Sequence, residues 1–136
     1  MSFSLIALAA AAATHTVQIE HRGMQMDAIY SARTEIQTRT VGAATPNRAD
    51  GQRCRWTATL VVDRKLTHGP ALARILPSDH KLSGSQPGAC TRDRSAIERE
   101  VARRDDAVRD HLLAVAARDQ APLLAELDAI RNLASN

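Results

Sequence analysis

Residues 24–41 read MQMDAIYSARTEIQTRTV, and this run decides the fold. Met26, Ala28, Tyr30, Ala32, Thr34 and Ile36 share one parity; Asp27, Ile29, Ser31, Arg33, Glu35, Gln37 and Arg39 share the other. Strand side chains point alternately to opposite faces, so a period of two gives one apolar face and one polar face. The run is rich in Thr and lacks Pro and Gly, which favours an extended strand over a helix.

Working outward, Arg22-Gly23 reads as a tight turn, with Gly supplying a positive φ. Before it, Val17, Ile19 and His21 share one face of a first strand, and Thr16, Gln18, Glu20 and Arg22 the other. After it, residues 42–52 carry Pro46, Asn47, Asp50 and Gly51, a loop composition. Residues 53–66 alternate again. Cys54, Trp56, Ala58, Leu60 and Val62 point one way, and Arg53, Arg55, Thr57, Thr59 and Val61 the other. Three successive strands with short connections predict an antiparallel meander.

Residues 67–91 hold Gly69, Pro70, Pro77, Gly84, Pro87 and Gly88, and read as a loop-rich connection. A helical turn or two is expected over 70–76, and the remainder has room for a fourth strand. Residues 92–136 read as helical. Thr91, Asp93 or Ser95 caps the segment, and Ser95 with Glu98 fits a capping box. Ile97, Val101, Val108, Leu112 and Val115 form a stripe at helical spacing, interrupted by Arg104 and Asp105. Leu123, Leu124, Leu127, Ile130 and Leu133 form a second apolar face after Ala121-Pro122. Two helices with a turn or kink near Asp119 are therefore expected. The fold class is α+β: a three- to four-stranded antiparallel meander with a C-terminal helical pair on one face. Trp56 is expected as a core anchor beside Tyr30 on that face.

The chain has 136 residues, 44% of them apolar, a size that predicts one domain. Residues 1–13, MSFSLIALAAAAA, form a short apolar run ending in small residues at Ala11 and Ala13. That is the shape of a secretory signal peptide, although no Lys or Arg precedes it. The domain reading is a signal peptide over 1–13 and a single exported domain over 14–136. The sheet lies in 14–66, the connection in 67–91 and the helices in 92–136. Cleavage would leave a start near Thr14 and a periplasmic or secreted location. An even cysteine count suits that compartment, so Cys54 and Cys90 are expected to be bridged. The apolar run is too short for a transmembrane helix.

Charge is uneven. Residues 14–92 carry 11 basic and 6 acidic side chains, and residues 93–136 carry 7 and 9, so the excess of positive charge belongs to the sheet half. Arg22, Arg33, Arg39, Arg53 and Arg55 fall on the polar parity of the three strands and form a candidate anion-binding face. No aromatic residue interleaves with them and no nucleic-acid-binding motif is present, which argues against nucleic acid. The expected partner is an acidic envelope component or an acidic protein.

Catalytic signals are weak. No C-x-x-C, H-E-x-x-H or EF-hand spacing occurs, and neither a cofactor nor a metal site is expected. His15 and His21 lie too far apart along one strand to share a metal, and His68, His80 and His111 show no ligand spacing. Ser78-Asp79-His80 holds triad residue types, but sequence neighbours seldom converge as a triad does. Gly84-Ser85-Gln86-Pro87-Gly88 misses the nucleophile-elbow pattern by one position. The acid pairs Asp105/Asp106 and Glu126/Asp128 read as solvated helix surface. The residues thus point to a small exported bacterial protein acting as a non-enzymatic binding or accessory module of the cell envelope. The alternative is a small hydrolase using the 78–85 connection.

Overall fold

The longest strand organises the molecule. In the computed structural model, which describes residues 7–8, 13–43, 51–67, 73–91 and 94–135, the run quoted above is a single strand. The elements are β1 (Ala7–Leu8), β2 (Ala13–His21), β3 (Met24–Val41), β4 (Arg53–Leu66), β5 (Arg74–Leu76), β6 (Lys81–Pro87), α1 (Arg94–Ala102) and α2 (Asp105–Ser135). All strand pairings are antiparallel. β1 and β2 share one edge of β3, while β5 and β6 share the far edge of β4, so the sheet is four strands wide. Both helices pack on one of its faces, through Ile97, Val101, Val108, Leu112, Val115 and Leu123. The α+β reading, the meander and the helical cover are therefore observed.

The first turn follows from backbone chemistry. His21 pairs with Met24, leaving Arg22 and Gly23 as a two-residue loop with φ of 52° and 79°. Two successive positive φ values define the hairpin turn whose twist matches its strands. The parity of β3 and β4 is the expected one: Ala28, Tyr30, Ala32, Ile36, Cys54, Trp56, Ala58, Leu60 and Val62 are all buried. Tyr30 and Trp56 share this face but are not neighbours. Tyr30 lies opposite Arg64, and Trp56 lies opposite Thr38 towards the other end of the strand pair.

The connection departs most from expectation. Residues 74–76 are strand and not helix, and β6 pairs with β4 from Arg53 to Thr59. Its sequence, KLSGSQP, is a poor strand by composition. Gly84 explains how it is accepted: a Cβ there would lie 2.4 Å from the Trp56 ring. The missing side chain lets β6 pass close over the indole, a recognised use of glycine in a strand.

The helix break also moves. It falls at Arg103 and Arg104 and not near Asp119, and Pro122 is inside α2. The Arg104 N–H bonds back to the Val101 carbonyl, while the Arg104 carbonyl accepts from Val108 to open α2. Asp105 and Asp106 then occupy the first turn, where the helix dipole favours negative charge. The break carries the Arg104 guanidinium to 5.3 Å from the centre of the Trp56 ring. A mid-helix Pro costs about 3 kcal/mol in isolation; here the helix runs through it because Asp119, Leu123 and Leu127 on either side are buried. α1 begins at Arg94, one residue ahead of the Ser95 cap position. Leu133, expected on the second apolar face, is exposed.

Asp119 points inward because of a feature at the end of β4. Arg64 continues the apolar parity of that strand and is completely buried. Its Nη1 donates to Asp119 Oδ2 at 2.6 Å and its Nη2 to Glu126 Oε2 at 2.6 Å. Tyr30 donates its hydroxyl to the same Asp119 oxygen at 2.8 Å. Arg74 pairs with Glu126 from β5. Asp119 and Glu126 are two helical turns apart, so one face of α2 presents both carboxylates to one guanidinium.

Two outcomes follow. The disulfide closes a span of 36 residues, so the chain-entropy model assigns it ~3–4 kcal/mol. Cys90→Ala is expected to lower the melting temperature by about 10 °C, read by calorimetry on the oxidised parent and the variant. The second outcome concerns alkali. Burial, then the Asp119 carboxylate, pushes the Tyr30 hydroxyl well above its usual range. The folded chain therefore keeps this proton while unfolded tyrosine loses it near pH 10. Stability is expected to fall as pH rises from 9 to 11. Tyr30→Phe should flatten that slope while costing about 1.5–3 kcal/mol at pH 8, both measured by urea unfolding.

Candidate anion-binding face

The helices leave the second face of the sheet open, and the strand registers define what it displays. Arg39 lies directly opposite Arg55, which in turn lies opposite Ser85. One row towards the strand end, Arg53 lies between Val41 and Pro87. One row the other way, Gln37, Thr57 and Ser83 line up, followed by Glu35, Thr59 and Lys81. Arg53 donates to Ser85 Oγ at 3.1 Å. Arg39, Arg53 and Arg55 are all exposed.

Like charges directly opposite on adjacent strands destabilise a sheet. Among the described residues neither Arg39 nor Arg55 has a carboxylate partner that would offset this. The neighbouring Arg33 differs: it lies 3.9 Å from Glu35 and 3.8 Å from Asp63, and its charge is compensated within the sheet. Arg22 leaves the set altogether. As a turn residue it faces the helix side, 3.2 Å from Asp128 Oδ1, which His21 also contacts at 2.7 Å. Five arginines on a common parity thus resolve into a basic end of three, one neutralised member and one helix contact. Arg22 departs from the strand parity because alternation stops where φ turns positive.

The basic end is held rigidly. Cys54, between Arg53 and Arg55, is bridged to Cys90. Thr40, beside Arg39 and opposite Cys54, accepts the Cys90 N–H on its hydroxyl at 3.1 Å. The chain's Trp and Tyr both lie on the covered face. Among the described residues the surface therefore offers guanidinium groups, hydroxyls and an amide, with no Trp or Tyr ring on which a base or sugar could stack.

A second cluster forms where residues 77–80 meet α2. Ser78 Oγ is 2.7 Å from His111 Nε2, and the His80 and His111 rings are stacked with centres 4.4 Å apart. Burial, then His80 and Arg118, lowers the His111 proton affinity, with Asp79 opposing. His111 is therefore neutral at pH 7, and a neutral imidazole nitrogen can accept the serine proton. The sequence neighbours Ser78, Asp79 and His80 do not assemble as a triad: the imidazole that meets Ser78 is His111, from the helix. Among the described residues no carboxylate bonds to His111 to orient it, as a serine triad requires. Ser85 is bonded to Arg53 and belongs to the basic end.

Among the described residues no group of three or more His, Cys, Asp or Glu is gathered as a metal centre would be. His68 lies outside the described residues, as do most of residues 1–13. The exceptions are Ala7–Leu8, which pair with β3 at Ile36 and Glu35, and Ala13, which opens β2. Arg64, Asp119 and the Ser78–His111 contact escaped the sequence reading. For Arg64 a signal was present, a charged residue on an otherwise apolar parity; for the other two the partners are remote in sequence. No family model, no curated protein and no solved structure matches the chain.

Proposed function

We propose that the chain is a small exported binding module of the cell envelope, without catalytic activity of its own. Its contact surface is the basic end formed by Arg39, Arg53 and Arg55, and its ligand is the anionic group of an acidic envelope component. The observation that carries this is the uncompensated Arg39–Arg55 opposition. Like charges so placed weaken the sheet, and among the described residues no carboxylate pairs with either, whereas a bound carboxylate or phosphate bridging the two guanidinium groups offsets the repulsion. The bridge at Cys54 supports the reading, because a surface fixed before binding loses less entropy on association. Export is supported by that same disulfide.

The Ser78–His111 contact favours a second reading, a hydrolase with Ser78 as nucleophile and His111 as base. Against it stand the missing orienting carboxylate and the His80 ring stacked on the base. A screen with ester, phosphate and glycoside substrates separates the two readings. No turnover is expected; turnover abolished by both Ser78→Ala and His111→Gln would establish the hydrolase instead.

Binding is expected to be strongly salt-dependent, since exposed charges are screened within about 8 Å at physiological ionic strength. The measurement is titration of the full chain with an acidic polysaccharide and with anionic vesicles at 20 and 300 mM salt. An Arg39→Glu/Arg55→Glu variant should lose at least tenfold in affinity at low salt, and Arg33→Gln should lose less than threefold. Equal loss in both, or no binding at low salt, contradicts the assignment. Export has its own check: intact mass of the natural product is expected to show a start near Thr14, and an uncleaved chain would remove the compartment reading.

A further inference from the structure

Besides the Arg64 and Tyr30 bonds, two polar contacts fasten α2 to the sheet side, one at Asp128 and one at His111. At one end Asp128 receives His21 at 2.7 Å and Arg22 at 3.2 Å. The His21 hydrogen bond, opposed by burial and helped by Arg22, holds the Asp128 carboxyl below the usual carboxylate range. That end stays ionised well below neutral pH.

At the other end His111 meets Ser78 and stacks on His80. The charged and titratable groups acting on it are His80, Asp79 and Arg118. Two of these three are basic and disfavour a proton on His111, whose ring is stacked on His80 with centres 4.4 Å apart. Asp79 alone opposes them, and it is exposed. The His80 carbonyl accepts the Leu60 N–H at 3.0 Å, so the segment that carries these side chains is tied to the edge of β4 just ahead of β6.

We propose that residues 77–80 and α2 form a pH-sensitive clasp, closed when His111 is neutral and released when His111 is charged, while the Asp128 end holds. The sign follows from linkage. His111 binds its proton less readily in the folded chain than at its ordinary value of 6.5. Its contribution to the folded contact is therefore present above about pH 6.5 and is lost as pH falls through the lowered folded value. β6 begins immediately after the clasp and flanks Arg53 and Arg55, so release acts on the strand that borders the basic end.

The test uses the full, oxidised chain. Histidine ring resonances are followed by NMR from pH 7.5 to 5.0, together with amide hydrogen-exchange protection, corrected for the intrinsic rate. Protection of the Leu60 amide is expected to fall at least fivefold across this range, while the Val17 and Ile19 amides beside the Asp128 end keep theirs. His111→Gln, which retains a hydrogen-bonding group but cannot charge, should abolish the Leu60 response. Should that variant fail to fold, His80→Asn removes the ring stacked on His111 and should reduce the response likewise. A wild-type Leu60 amide equally protected at pH 5.0 and 7.5, or a response unchanged in the variant that folds, overturns the proposal.

Discussion

The guanidinium of Arg64, buried at the end of β4, is the interaction on which the rest of the structure depends. A charge taken out of water is tolerated only when it is paired and hydrogen-bonded. Arg64 finds both conditions on α2, where Asp119 and Glu126 meet its two terminal nitrogens. Among the described residues its Nε has no partner, so the burial is not free of cost. Such a pair contributes little net stability compared with apolar packing. What it does is restrict how α2 can lie: sliding or rotating the helix would strand a buried positive charge. Tyr30 narrows the choice further by binding the same carboxylate from the neighbouring strand.

With the helix so placed, the two faces of the sheet acquire different roles. The covered face holds the core, and its far end is closed by Trp56, which lies between β6 at Gly84 and the Arg104 guanidinium. The open face is left with its charges at the surface. Along it, compensation is uneven: Arg33 lies among carboxylates, whereas Arg39 and Arg55 face each other. The disulfide holds the uncompensated end, because Cys54 separates Arg53 from Arg55 along the strand.

Much of this was legible from alternation. A period of two needs no knowledge of partners, so β3 and β4, their buried parity and the turn at Arg22-Gly23 were all read from single residues. The helices were legible for the same reason, through the spacing of Ile97, Val101, Val108, Leu112 and Val115. What escaped depended on contacts between distant residues. β6 is strand because β4 offers a free edge and Gly84 clears the indole, neither of which its composition reveals. The kink expected near Asp119 rested on local propensity, which the buried Arg64 overrides. Conversely, the interruption at Arg104 and Asp105 was visible as a broken stripe. Within the candidate site, parity grouped the arginines, but only the registers separated the opposed pair from the compensated Arg33.

A double-mutant cycle shows whether the Arg64–Asp119 pair sets the helix on one face. Urea unfolding is measured for the parent, Arg64→Met, Asp119→Leu and the double variant. Breaking a buried pair from one side leaves the other charge uncompensated and typically costs ~3–5 kcal/mol. Each single variant is therefore expected to be destabilised by about that amount. The double variant, which removes both charges, should be destabilised by much less than the sum, a coupling of more than ~2 kcal/mol. Additive losses, or single variants within about 0.5 kcal/mol of the parent, would show that α2 is positioned by apolar packing alone and would contradict the account.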